Sequence, residues 1–182
     1  MLGCLSFLAN RTRPDISYIV NILSQYQNNP AKVHWNSLLR LLGYVKSTVS
    51  YKLNLSCHTP KIVAFSDSDF AACRDDRVSM RGQIIFVGQA PIMWRSFKEN
   101  CISLSTMEAE FVALTEAAKE MMWFDKILNE CYDRKIIEGI KEKSLLYVDN
   151  EASIAPTKHD LDKFVDMIFE RTSILNDVTD GK

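Results

Sequence analysis

The chain has 182 residues, 47% hydrophobic and 25% charged, with a formal net charge of −1. These proportions belong to an ordinary globular protein and argue against a disordered or low-complexity chain. No apolar stretch approaches the roughly 20 residues that a membrane span needs, and the opening Met-Leu-Gly-Cys-Leu-Ser-Phe-Leu has no basic lead-in of the signal-peptide kind.

Residues 1–47 read as helical. Pro14 suits a first helical turn, and Ile16, Ile19, Val20, Leu23 and Tyr26 recur at helical spacing. Asn28-Asn29-Pro30 interrupts the pattern, and Trp35, Leu38, Leu39, Leu42 and Val45 form a second apolar stripe. Tyr51–Leu55 is a candidate short strand, and His58-Thr59-Pro60 a boundary. Charge is uneven along this flank: Arg11, Arg13, Lys32, Arg40, Lys46 and Lys52 stand against Asp15 alone in residues 1–60. Such a flank suits a phosphate backbone, and it suits a solvated helical surface equally well.

From residue 61 the pattern turns to strands, at 61–67, 82–88, 91–96 and 100–104, with Gly88-Gln89-Ala90-Pro91 as a hairpin connection. A helix over 106–131 follows, with Phe111, Leu114, Ala118, Met121, Met122 and Leu128 as its expected apolar face. Residues 144–149 read as a further strand, and Leu161, Phe164, Val165, Ile168 and Phe169 as an amphipathic helix. The order implies an α/β fold in which an antiparallel hairpin system is joined by a crossover helix to a parallel strand. Cys4, Cys57, Cys73, Cys101 and Cys131 contain no CxxC pair, which supports neither a zinc site nor a disulfide framework and suits a reducing interior.

Three carboxylates carry the chemistry. Asp67 and Asp149 each close an apolar, strand-like run, and Glu110 sits near the start of the intervening helix. Strand-Asp, helix-Glu, strand-Asp is a way to bring three hard oxygen donors around divalent cations, and a cation pair can clamp a phosphodiester for in-line displacement. Asp69 shares a strand face with Asp67 but is expected to lie in the following turn, so Asp67 is the expected ligand; the alternative is that both acids only solubilise that turn. Ser105 and Glu108 match a capping box, which gives Glu108 a structural role and leaves Glu110 for the site. Ala113 and Ala117 follow Glu110 and would let the helix approach the sheet closely. Asn150 reads equally as a helix cap, and His159 as a surface or capping residue.

Together these segments make the chain resemble the RNase H region of copia-type LTR retrotransposon Pol polyproteins, over roughly residues 1–154. Thr12-Arg13-Pro14-Asp15, His34-Trp35 and Leu41-Leu42-Gly43-Tyr44-Val45-Lys46 resemble segments that follow the reverse transcriptase core in that family. Ser66-Asp67-Ser68-Asp69-Phe70-Ala71, Asp76-Arg77-x-Ser79-x-x-Gly82, Pro91-Ile92-x-Trp94, Ser105-Thr106-x-Glu108-Ala109-Glu110-Phe111 and Asp149-Asn150-Glu151 resemble its RNase H motifs. The resemblance implies an RNase H-like mixed sheet with flanking helices, preceded by a helical segment. It divides the chain into a connection segment at 1–57, an RNase H-like domain at 61–154 and a divergent tail at 155–182.

By resemblance, Asp67, Glu110 and Asp149 hold Mg²⁺, with Mn²⁺ as substitute, and cleave the RNA strand of RNA–DNA hybrids. The partners implied are the hybrid and the reverse transcriptase portion of the same polyprotein, with no membrane. The location implied is the cytoplasm, in a virus-like particle, and the nucleus. Lys158-His159 is followed by only a loose match to the family's next segment. No ADIxTKPL stretch appears, and Asp177 and Asp180 stand in a different context. The sequence therefore leads to the expectation that the last strand, the final helix and a fourth carboxylate are missing. The rival to an impaired nuclease is a non-catalytic nucleic-acid-binding or protein-binding module of the same fold.

Overall fold

The computed structural model of the chain describes residues 1–57, 59–71, 73, 76–99, 102–138 and 142–148. They form two compact units that divide between Leu53 and Asn54. No helix among the described residues is long and apolar enough to cross a membrane.

The first unit is helical. It comprises α1 (Leu2–Arg11), a 3-10 turn (Pro14–Ile16), α2 (Ser17–Gln25) and α3 (Lys32–Ser47). Its core gathers Leu5, Ala9, Ile16, Ile19, Val20, Leu23 and Leu41. The stripe expected on α3 is rotated: Leu41 is buried, whereas Trp35 and Leu39 are exposed. Residues 51–57 form no strand, so the expectation at Tyr51–Leu55 fails.

The Thr12-Arg13-Pro14-Asp15 segment acts here as a clasp. The Arg13 Nη2 donates to Asp15 Oδ2 at 2.7 Å and to Thr48 Oγ1 at 2.6 Å. The Tyr44 hydroxyl donates to the same Asp15 oxygen at 2.8 Å, and the guanidinium lies 5.5 Å from the Tyr44 ring centre. The hydrogen bond to Asp15, opposed in part by desolvation, raises the Arg13 pKa above its ordinary value. The start of the 3-10 turn is thereby tied to the end of α3, and one of the six cations of the basic flank is neutralised in place. His34 is likewise structural, since the Ala31 N–H donates to its Nδ1 at 3.0 Å and its ring stacks on Tyr26 at 3.9 Å.

The second unit is a four-stranded sheet with one long helix. β1 (Ile62–Asp69), β2 (Met80–Val87), β3 (Ala90–Lys98) and β4 (Leu145–Val148) take the order β3-β2-β1-β4, and α4 (Thr106–Asp133) connects β3 to β4 in the chain. β1 pairs antiparallel with β2 and parallel with β4, as the element order implied. The hairpin turns at Gly88, whose φ of 63° favours glycine and where a Cβ would meet the Thr59 carbonyl oxygen at 2.9 Å. The candidate strand at 100–104 is not formed over 102–104; Asn100 and Cys101 lie outside the described residues.

The largest correction concerns α4. Ala109, Ala113 and Ala117 are its buried residues, and Met121, Phe124 and Leu128 pack on the cluster of Ile62, Ala64 and Ile85. Phe111 and Met122, expected on the buried face, are 66% and 59% exposed. Small residues let the helix backbone come close to the sheet, and that gain outweighs docking the bulkier stripe. The calls at Asp149, Asn150, His159, Asp177, Asp180 and the 160–170 helix lie outside the described residues.

Two expectations follow. Asp15→Asn leaves the Arg13 charge buried without its partner and should cost about 3 kcal/mol in urea unfolding, against about 1 kcal/mol for Tyr44→Phe. Ala113→Leu should overpack the helix–sheet contact and cost about 1–3 kcal/mol, whereas Phe111→Ser should stay within about 0.5 kcal/mol.

Candidate active site

Alternation along β1 divides its residues between two faces. Ile62, Ala64, Ser66 and Ser68 are buried on the face that α4 covers. Val63, Phe65, Asp67 and Asp69 share the other face, and the first three are half-buried. Phe65 stacks on Tyr147 of β4 at 5.1 Å and meets Phe86 of β2 edge-on at 6.1 Å, forming an aromatic floor two residues before Asp67. The Ser68 N–H donates to Asp67 Oδ1 at 2.8 Å, which fixes the carboxylate against its own strand.

β1 runs two residues further than the sequence suggested, so Asp69 belongs to the strand and not to the turn after it. Desolvation pushes the Asp69 carboxyl above its usual value, although the residue as a whole is exposed. Both acids of the pair are therefore held by the ladder. The choice between them rests on position: Asp67 is opposite Gly82, and Asp69 is opposite Met80 at the end of the pairing.

The described pairing of β1 with β4 ends at Ser66 opposite Val148, while β1 continues to Asp69. Asp149 is the next residue in the chain after Val148, and it lies outside the described residues.

Glu110 is half-buried in the second turn of α4, beside Ala109 and one turn before Ala113. The Ser105 hydroxyl accepts the Glu108 N–H at 3.2 Å, and Glu108 Oε2 accepts the Leu104 N–H at 2.7 Å. Glu108 is thus spent on the helix start, close to the reciprocal cap expected from sequence, with the amide shifted by one residue. Helical rise carries the chain about 21 Å from Phe124 back to Glu110, and strand rise carries it about 17 Å from Ala64 to Asp69. Asp67 lies on the face of β1 that α4 does not cover.

Asp67 and Glu110 are hard oxygen donors, which suits Mg²⁺ or Mn²⁺ and does not suit a soft-metal site. Among the described residues no group of three or more His, Cys, Asp or Glu side chains is arranged to hold a metal ion.

The sequence reading missed a charged cluster in the β1–β2 connection. Lys98 Nζ at the end of β3 donates to Asp76 Oδ2 at 2.6 Å and to Cys73 Sγ at 3.2 Å. The buried Ser79 hydroxyl accepts the Ala71 N–H at 3.2 Å. Asp76 and Ser79 were visible as motif residues; nothing in the sequence tied Lys98 to them. The hydrogen bonds from Lys98 and then from the Cys73 thiol lower the Asp76 pKa to about 2. A depressed folded-state pKa gives stability that is complete above the ordinary carboxylate value, about 4, and is lost as the pH falls toward 2. Acid titration of thermal melting should show this loss between those limits in wild type and a flatter profile in Asp76→Asn.

No protein-family model matches the chain, and no solved structure matches it. Among curated proteins it is 32% identical over 161 residues to the retrovirus-related Pol polyprotein from transposon TNT 1-94 of Nicotiana tabacum, covering 88% of this chain and 12% of the polyprotein. It is 40% identical over 131 residues to the Pol polyprotein from transposon RE2 of Arabidopsis thaliana, covering 71% of this chain and 9% of that one. It is also 37% identical over 123 residues to secreted RxLR effector protein 161 of Plasmopara viticola, covering 67% of this chain and 87% of that protein. The chain thus spans only a small part of the length of the polyproteins it matches.

Proposed function

We propose, for a chain that belongs to the copia-type Pol polyproteins of transposons, an RNase H-like module that cleaves the RNA strand of RNA–DNA hybrids with divalent metal. The observation that carries this reading is the arrangement of β1 and α4. A strand bearing Asp67 lies between an antiparallel and a parallel neighbour, and a helix bearing Glu110 packs on it through three alanines.

On this reading Asp67, Glu110 and Asp149 would hold the metal. A bound Mg²⁺ pair supplies Lewis-acid activation of water and stabilisation of the leaving oxygen. The chain's own part is positional. The Ser68 amide orients the Asp67 carboxylate, and the Phe65–Tyr147 stack stiffens the strand beneath it. Recognition of the hybrid would run through backbone and 2′-hydroxyl contacts and helix shape, without base readout. The reverse transcriptase portion of a polyprotein is the partner in cis, and the particle and the nucleus are the compartments where a hybrid would be met.

A second reading is favoured by one comparison. The chain matches a relative named as a secreted effector over most of that protein's length. On that reading this chain is a non-catalytic binding unit of the same fold.

Hybrid cleavage separates the two. Weak cutting is expected, stronger in Mn²⁺ than in Mg²⁺, and abolished by Asp67→Asn and by Glu110→Gln. Glu108→Gln should retain cleavage while losing on the order of 1 kcal/mol of stability through its cap. Equal loss of activity in Glu108→Gln and Glu110→Gln with unchanged melting would overturn the assignment. Mn²⁺ should also raise the melting temperature by linkage, less so in Asp67→Asn. An absent shift together with intact hybrid binding would favour the binding module.

A further inference from the structure

The outer face of α3 carries apolar and basic side chains together. Lys32, Trp35, Leu39 and Lys46 follow one another at spacings of three, four and seven residues, which sets them along one line of the helix. All four are exposed, Trp35 at 51% and Leu39 at 46%. The line is about 21 Å long at helical rise. The buried Ser37 and Leu41 lie on the other side of α3, so this line takes no part in the core of its unit.

Charge makes the line selective. Asp15 is the sole acid in residues 1–53, and it is taken by Arg13 and by the Tyr44 hydroxyl. Lys32 and Lys46 therefore have no carboxylate within 1–53 to pair with. An exposed tryptophan and leucine between two such lysines fit an amphipathic helix whose apolar stripe is edged with acids.

One segment of the chain has that composition. Leu161, Phe164, Val165, Ile168 and Phe169 recur at helical spacing, and Asp160, Asp162, Asp166 and Glu170 stand against Lys163 alone in the same stretch. This stripe spans about 12 Å as a helix, which the line on α3 accommodates. A competing apolar stripe is exposed on α4, at Met107, Phe111 and Met122. That helix carries seven acids and two lysines, so it would set like charges against the segment.

We propose that residues 160–170 dock as an acidic amphipathic helix on the Lys32–Trp35–Leu39–Lys46 face of α3 in the same molecule. The contact takes Trp35 and Leu39 out of water and gives the two lysines carboxylate partners.

The test is limited trypsin digestion of the full chain at low ionic strength, following cleavage after Lys163 by mass spectrometry. Wild type is compared with Ile168→Asp, Leu39→Asp, the two combined, Lys46→Glu and Phe111→Asp. Cleavage after Lys163 should be at least about tenfold faster in Ile168→Asp and in Leu39→Asp than in wild type. The combined variant should be no faster than either, because both changes remove the same contact. Lys46→Glu should accelerate cleavage less, and added salt should narrow its difference from wild type. Phe111→Asp should match wild type. Wild-type cleavage as fast as that of Ile168→Asp means an undocked segment and overturns the proposal. A wild-type rate in Leu39→Asp also overturns it, and faster cleavage in Phe111→Asp would then move the segment to α4. Protection that falls on dilution assigns the contact to a second copy and overturns docking within one molecule. If Leu39→Asp speeds cleavage at every site alike, it has unfolded its unit, and Lys46→Glu decides: acceleration confined to Lys163 supports the proposal, and a wild-type rate overturns it.

Discussion

The approach of α4 to β1 through Ala109, Ala113 and Ala117 is the contact on which the second unit depends. Three small residues at successive turns give the helix a flat side, and the sheet answers with Ser66 and Ser68 beneath that side and Ile62 and Ala64 further along. Close packing of backbone against backbone is intolerant of added volume, because interiors are filled at crystal-like density. The lower half of the helix contributes the apolar energy, through Met121, Phe124 and Leu128 on Ile62, Ala64 and Ile85. The upper half contributes proximity. Glu110 belongs to that upper half, so the feature that makes the helix close is also the one that brings its acid near the sheet.

The same strand serves two purposes because its faces alternate. Even-numbered positions of β1 lie against the helix, and odd-numbered positions carry Phe65, Asp67 and Asp69. A slip of one residue would bury the acids under α4 and turn Ile62 and Ala64 outward. Register is therefore decisive, and the hairpin helps to hold it. Gly88 sits with positive φ against the Thr59 carbonyl, and its N–H donates to the Lys61 carbonyl at 2.8 Å, which ties the turn to the residue just before β1. At the other end of the strands, Lys98 draws Asp76 and Cys73 onto β3, and Glu99 donates its N–H to the Ser79 carbonyl at 2.9 Å. Both ends of the β1–β2 pair are thus anchored to elements outside it.

Much of this was legible in sequence, for identifiable reasons. Strands were readable from apolar runs closed by acids, the hairpin from its glycine, and the helix start from Ser105 and Glu108. The buried face of α4 was not legible, because hydrophobic periodicity weighs large side chains and passes over alanines. Phe111 and Met122 looked like the core and are exposed. The extent of β1 was misjudged for a related reason: Ser66, Asp67, Ser68 and Asp69 are poor strand formers by propensity, and pairing with Gln83 through Met80 holds them extended regardless. Of the candidate carboxylates, Asp67 and Glu110 could be assigned to a strand face and a helix turn. Which acid of the Asp67–Asp69 pair matters is a question of register across to β2, and a single strand read alone does not contain it.

Many of the motif residues of the chain turn out to hold the fold. Arg13 and Asp15 clasp the 3-10 turn to α3, His34 caps and stacks, Asp76 pairs with Lys98, and Ser79 supports the turn after β1. A motif residue with satisfied partners inside the protein has its role explained, and its charge is not available to a ligand. That reasoning removes Arg13 from any account of nucleic-acid attraction by the basic flank. Applied to the acids, the same reasoning assigns Glu108 to the helix start. Applied to the glycines, it shows Gly88 to be required by its turn. In the RNase H-like segments Asp67 stands opposite Gly82 across β1 and β2, with its carboxylate held by the Ser68 amide.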